Sequence, residues 1–349
     1  MAPASDQLGS ARHEVSDTAE AIEFYYSKGW TDGLPVVPPT EGSIREMLDA
    51  VGRKPFDEVV FIDHRQVSVT AEKVAINAVM AGCKPEYMPV IVATLEAMGD
   101  PRWGFHGPAT STGGAAVLII VNGPITRELG INWGEDLFGP GWRANATIGR
   151  AVRLVMRNVI GCLPGRLDRS TLGHGGKYTF CIAENEEESP WTPVHVERGF
   201  RPDQNAVTIF AALAPHQFYN QLSNNAEGIL ATACSHMRFS AGVGMQPQYF
   251  LCIAGEHMRV MAKDGWSKED IRRFCFEHTK ASYAELKRMK VMHGDISSED
   301  ETKMRPLVSS PEDFIVVAAG GHAGAFSAFI PGWGGRRTSE SVTREIRRL

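Results

Sequence analysis

The sequence predicts an α/β protein: mixed or parallel sheets flanked by helices, in two intimately packed lobes. Strand-like apolar runs alternate with amphipathic helical spacings along the chain. The strongest run, "GGAAVLIIVNGPI", holds seven apolar residues from Ala115 to Val121 between glycines. At 349 residues the chain exceeds the roughly 250–300 that one core organises.

The elements follow in order. Residues 1–17 are polar and are expected to be a disordered tail. "TAEAIEFYYSKGW" has helical spacing at Ala21, Ile22, Phe24 and Tyr25; it must end by Gly29, and Pro35, Pro38 and Pro39 forbid helix beyond. "SIREMLDAVG" predicts a short helix closed by Gly52, and "DEVVFI" a strand. "TAEKVAINAVMAGC" and "PEYMPVIVATLEAM" predict two buried helices parted at Lys84-Pro85, because both are apolar on most faces. "NATIGRAVRLVMRNVIG" predicts a long helix opened by an Asn-x-Thr cap. "KYTFCIAEN", "AVTIFAA", "QYFLCIAG" and "DFIVVAAGG" predict strands, and 222–238 a helix. "SKEDIRRFCFEHTKASYAELKRMK" predicts one helix opened by a Ser-x-x-Asp capping box. The acidic stretch 293–305 predicts an exposed loop, and a short C-terminal helix is expected behind "HAGAFSAFIPGWGG". The first lobe is placed at 18–200 with an N-terminal arm, the second at 201–349.

Composition narrows the function. With 43% hydrophobic and 22% charged residues and a net charge of -5, the chain lacks the basic excess that holds a phosphate backbone, so no nucleic acid is expected. No run approaches the roughly 18 apolar residues of a membrane span, and the polar N-terminus lacks the apolar core of a secretory signal, so a cytoplasmic location is expected. Six cysteines without a CxxC pair predict free thiols, neither a disulfide framework nor a structural zinc site.

Four places can carry chemistry. In "SKGWTDGLPVVPPT" a proline run fixes the backbone behind Trp30 and Asp32; the stretch is either an arm over the partner lobe or the rim of a pocket. The glycine- and hydroxyl-rich centre, "GPATSTGG", "GWRANATIGR" and "GRLDRSTLGHGGKYTFC", offers Arg143, Asn145, Thr147 and Lys177 to a small anion, with Arg166 and Arg169 nearby. Neither a Walker loop nor a GxGxxG fingerprint is present, so no nucleotide cofactor is indicated. In "FCIAENEEESPW" a strand delivers Cys181 and Glu184 to a loop as candidate nucleophile and acid/base, and Cys83 is a weaker thiol candidate. Last, His216, Glu256 and His257 are a candidate divalent-metal set without HExxH spacing, and His322 in "GGHAGAF" is a candidate anion-binding wall.

The motifs "GWTDGLPVVPPT", "INAVMAGCKPEYMPVI", "RANATIGRA", "DRSTLGHGGKYTFCIAENEEESPW" and "HVERGF" resemble a bacterial family whose members occur with, or resemble partners of, small UGSC-type (seleno)proteins. The resemblance runs from residue 24 to about 335 and implies an enzyme or enzyme subunit. The Sec/Cys-Gly-Ser-Cys motif of those partners is absent from this chain, so redox chemistry tied to it would have to come from the partner. Two readings follow. One is a homo-oligomeric enzyme that cleaves a carbon–heteroatom bond of a small anionic substrate by hydrolysis or elimination at an inter-lobe site. The other is a non-catalytic subunit that binds a small thiol or selenol protein.

Overall fold

The structure is a computed structural model that describes residues 6–240, 245–335 and 338–348. Helices α1 (Thr18–Ser27) and α2 (Glu41–Asp49) lead into a hairpin of β1 (Glu58–Ile62) and β2 (Val67–Thr70), then α3 (Ala71–Ala81), α4 (Met88–Met98) and the single turn α5 (His106–Thr110). Strand β3 (Ala116–Asn122), short α6 (Ile125–Leu129), long α7 (Arg143–Asn158) and β4 (Cys181–Ala183) follow, then α8 (Val194–Glu197), β5 (Ala206–Ala212) and β6 (His216–Tyr219). The rest comprises α9 (Ala226–Met237), β7 (Tyr249–Ile253), α10 (Gly255–Lys263), α11 (Lys268–His278), β8 (Ala281–Ser282), α12 (Tyr283–Arg288), β9 (Met304–Arg305), β10 (Phe314–Ala318), β11 (Phe326–Pro331) and β12 (Val342–Glu345).

Two four-stranded sheets carry the fold, in the orders β12-β5-β3-β4 and β10-β7-β11-β6. Each has one parallel pair, β3–β4 or β7–β10, followed by two antiparallel pairs. Ile119, Val121 and Ile209 of the first sheet pack into one core with α3, α4 and α7. Leu118, Ile120 and Phe210 point the other way and meet Phe250, Ile315 and Ile330 of the second sheet. Leu251, Val316 and Phe329 face α9, α10 and α11. The result is four layers, helix, sheet, sheet and helix. Both faces of each sheet are covered, which is why the strands read as continuous apolar runs rather than alternations.

The outermost strands are exchanged. β6 follows β5 directly yet pairs with β11 of the other sheet, and β12 follows β11 yet pairs with β5. At the crossing Ala212 bridges Gly332, flanked by Leu213 N to Pro331 O (2.9 Å) and Trp333 N to Ala211 O (2.8 Å). A Cβ on Gly332 would sit 2.6 Å from the Gln248 carbonyl oxygen, so the crossing requires glycine. The boundary expected at residue 200 therefore cuts the first sheet, because β5 and β12 both lie beyond it.

Local expectations change in four places. The C-terminal helix is instead β12, an edge strand. The single helix from Ser267 breaks into α11 and α12, since Ser282 opens a second capping box with Glu285. Asn145 is not a cap, because α7 already begins at Arg143. The polar tail is partly held, with the Gly9 and Ser10 amides each donating to the Glu72 carboxylate at 2.8 Å. No helix among the described residues is long and apolar enough to cross a membrane.

Candidate functional site

The residues singled out from sequence fall into separate places. Cys83, Arg143, Asn145, Thr147 and Cys181 gather round the start of α7. There Asn145 accepts from Asn132 N (2.8 Å) and donates to the Asn132 and Cys181 carbonyls (both 3.0 Å), so its amide staples α7 to β4. Arg143 spends Nε and Nη2 on the Gly82 carbonyl at 3.1 and 2.9 Å. The Cys83 thiol donates to the Thr147 carbonyl, and the Thr147 hydroxyl to that of Arg143. Burial pushes the Cys83 thiol up to about 12 and the Cys181 thiol higher still. Neither is poised as a thiolate, contrary to the nucleophile role that sequence suggested.

The proline-rich opener straps this helix from outside. Arg150 holds Asp32 with two 2.8 Å bonds and also reaches the Pro35 carbonyl (2.9 Å), while Asn158 donates to the Trp30 carbonyl (2.8 Å). Burial raises the Asp32 carboxyl, but the Arg150 guanidinium outweighs it and leaves the group low. The Trp30 ring meets Phe24 and Tyr25 edge-on. Trp30 and Asp32 thus belong to a clasp on α7, with Arg150 one turn of helix before Arg153.

Glu184 lies in a closed polar knot beyond the β3 and β4 ends. Its Oε1 takes Lys268 Nζ at 3.0 Å, and Oε2 takes Asn122 Nδ2 at 2.7 Å and Val194 N at 2.8 Å. Asn122 also donates to Glu186 (2.8 Å), and His195 beside it is fully buried, with neither ring nitrogen hydrogen-bonded among the described residues and Nδ1 3.9 Å from the Glu186 carboxylate.

The candidate metal set does not assemble. His216 is exposed and stacks on Phe329; Glu256 accepts from the Gly324 and Ala325 amides, both at 2.9 Å. His257 is buried against Ser327 Oγ (2.8 Å) and the Asn220 carbonyl (3.3 Å), and burial pushes it below the ordinary histidine range. Among the described residues no three His, Cys, Asp or Glu side chains come together to hold a metal ion. His322 lies against the start of α10, where its carbonyl accepts from Arg259 Nη2 at 2.7 Å, and its ring is 3.5 Å from Glu188.

Lys177 is where glycine-rich loops converge. Thr171 N donates to the Thr112 carbonyl (2.9 Å), joining the 107–115 and 165–178 loops, and a Cβ on Gly114 would lie 3.2 Å from the Gly173 backbone. Trp333 covers the junction: its Nε1 donates to Ser111 Oγ at 2.6 Å, and a Cβ on Gly107 would fall 2.2 Å from the indole. Beneath lies buried Asp168, which accepts from Arg153 Nη2 (2.5 Å), Lys177 Nζ (2.9 Å) and Ser170 Oγ (2.5 Å). Lys177 Nζ also donates to Ser170 Oγ at 2.8 Å. Next to Lys177 and Arg153 is a cavity of about 20 Å³, walled by Trp103, Pro108, Met156 and Gly176, room for about one water molecule.

The electrostatics suit proton transfer. Burial would raise Asp168, but Ser170, Lys177 and Arg153 hold it at about 2, so it is ionised throughout the working range. Burial, with Arg153 alongside, pushes the Lys177 amine below the ordinary lysine range despite Asp168. Two cations and one carboxylate leave a single positive charge for an anionic ligand. His174 is neutral here: burial lowers it, Nδ1 accepts from Gly176 N and Nε2 faces the Ala212 carbonyl.

Sequence reasoning named Lys177 but missed Asp168, Ser170 and Arg153. The available signal was Asp-x-Ser, a pattern that closes on itself through side-chain bonds. Arg153 supplies the second cation, whereas exposed Arg169 turns back to the Gly165 carbonyl. No protein-family model matches the chain, and no curated protein matches it.

Proposed function

We propose that the protein is an enzyme that hydrolyses a carbon–heteroatom bond in a small anionic organic substrate, with Ser170 as nucleophile and Lys177 as general base. One observation carries this reading: the Ser170 hydroxyl is held between the Lys177 amine at 2.8 Å and the Asp168 carboxylate at 2.5 Å. Once Lys177 is neutral, the Ser170 hydroxyl turns from Asp168 to the amine 2.8 Å away, and Lys177 takes its proton as Ser170 Oγ bonds to the substrate carbonyl carbon. The same proton then passes to the leaving heteroatom as its bond to that carbon breaks. A water molecule attacks the acyl-serine, gives its proton through Lys177 to Ser170 Oγ, and releases the acid. The cavity beside Lys177 suits that water in size. Arg153, whose Nη2 bonds Asp168 beside Lys177, offers a guanidinium to the substrate's anionic group.

The test is covalent labelling. A fluorophosphonate probe is expected to modify Ser170, read by peptide mass spectrometry, with loss of labelling in Ser170→Ala and at least about tenfold slowing in Lys177→Met. Absence of an adduct, or an adduct on another residue, refutes the assignment.

The burial of all six cysteines favours the second reading, a non-catalytic subunit for a small thiol or selenol protein, because this chain exposes no thiol of its own. Failure to label together with a stoichiometric complex with a Cys-Gly-Ser-Cys protein would support it. A cytoplasmic location and a homo-oligomeric state belong to the same proposal; six unpaired thiols agree with a reducing compartment.

A further inference from the structure

A second polar concavity lies away from Lys177, where β1, the end of α4 and the end of β12 meet. It is an open groove of about 450 Å³, walled by Arg53, Arg344, Arg347, Glu58, Glu96 and the strand 59–61. Its floor closes tightly, since a Cβ on Gly99 would lie 2.5 Å from the Val60 side chain.

The charges in this groove are unequally occupied. Arg53 is anchored between the Glu58 carbonyl (3.1 Å) and Glu96 Oε1 (2.8 Å), so one wall carboxylate is already neutralised. The other, Glu58, accepts from Ser68 Oγ at 2.6 Å. Arg347 is 81% exposed and only loosely paired, 3.6 Å from Glu345. The exposed Arg344 guanidinium makes no hydrogen bond or ion pair among the described residues, although its charge helps hold the Asp100 carboxyl low. Two guanidinium groups therefore remain to receive a ligand, on the backbone of a paired strand and the residues just after it. Phe61, 42% exposed, adds an apolar face beside them.

We infer that this groove binds a small organic polyanion, a phosphate ester or a polycarboxylate, gripped by Arg344 and Arg347 with its apolar part over Phe61. Planar guanidinium groups match the paired oxygens of either anion, and 450 Å³ is the size of a metabolite site. The groove also touches the Lys177 site through the chain, because 99–103 runs from the Gly99 floor to Trp103, which walls the water-sized cavity. Ser339 Oγ donates to the Trp103 carbonyl (2.8 Å) and Glu340 N to the Arg102 carbonyl (2.8 Å), tying that segment to the approach of β12.

The test is calorimetric titration of the full chain with inorganic pyrophosphate and, separately, citrate at low salt, where exposed charges act most strongly. One-to-one binding is expected, weakened at least about tenfold in Arg344→Ala/Arg347→Ala and unchanged in Lys177→Met. Tighter pyrophosphate than citrate assigns phosphate esters, and the reverse assigns polycarboxylates. Arg347→Ala alone, at an arginine that is 81% exposed, is expected to weaken binding by a smaller factor and guards against misfolding of the double variant. Absence of binding, binding that survives the double variant, or binding lost in Lys177→Met overturns the inference.

Discussion

Asp32 and Arg150 meet through two parallel 2.8 Å bonds, although they lie 118 positions apart in the chain. Asp32→Ala strands a guanidinium that is only 15% exposed and frees the strap over α7. Loss of about 3 kcal/mol is expected, because breaking a largely buried pair leaves its partner uncompensated. Urea unfolding measures it. The Asp32 carboxyl is low in the folded state, so its contribution is complete above the unfolded carboxylate range and fades as pH falls through the lower folded value.

If Lys177 is the base, fluorophosphonate labelling of Ser170 rises with pH as the amine loses its proton. The midpoint should fall below the ordinary lysine range, since burial and Arg153 both oppose the charge. Asp168, ionised above about 2, adds no second step between pH 4 and 9. A labelling rate that does not change with pH contradicts the base assignment.

Asp168→Asn removes the carboxylate that Arg153 and Lys177 share, leaving two cations side by side. The expected cost is about 3–5 kcal/mol. Replacing Arg153 with methionine in the same chain should recover part of it, and a double-mutant cycle gives the coupling.

Glu184 and Lys268 form a pair in which the side chains are 1% and 4% exposed. Lys268→Met alone should cost about 3–5 kcal/mol, because Glu184 is left buried without its cation. Glu184→Gln/Lys268→Met should be markedly closer to the parent in thermal unfolding. Equal losses in the two variants would mean that the ion pair is not what Lys268 contributes.

All six thiols lie in the interior. Alkylation of the native protein with iodoacetamide should therefore modify essentially none within the time that denatured chain modifies all six, counted by intact mass. Rapid native alkylation of Cys83 or Cys181 would restore a thiol role.

What the sequence disclosed follows from burial. β3, β5, β7 and β10 were readable as strands because both faces are covered and every position can be apolar. β12 was not, since an edge strand with only Val342 buried, Arg344 exposed and Thr343 and Glu345 half-buried lacks that pattern. Its terminal arginines looked like a solvated helix. The break before α12 was hidden because Ser282 and Glu285 suit a continuing helix as well as a cap. Lys177 stood out as a cation among glycines, whereas Arg153 looked like the wet face of an amphipathic helix. Only the fold, by laying the 165–178 loop along α7, brings Arg153 to Asp168.

The exchange of β6 and β12 sets an order on how the protein can be made. As the chain leaves the ribosome, β3, β4 and β5 can pair early, but the free edge of β5, apolar from Ala206 to Ala212 except at Thr208, waits while everything from Leu213 to Ser341 is synthesised. Only when the final strand emerges is that edge closed. The nascent first half must therefore be shielded from pairing with its neighbours on the same message, and a chain halted before Val342 presents a ready template for aggregation.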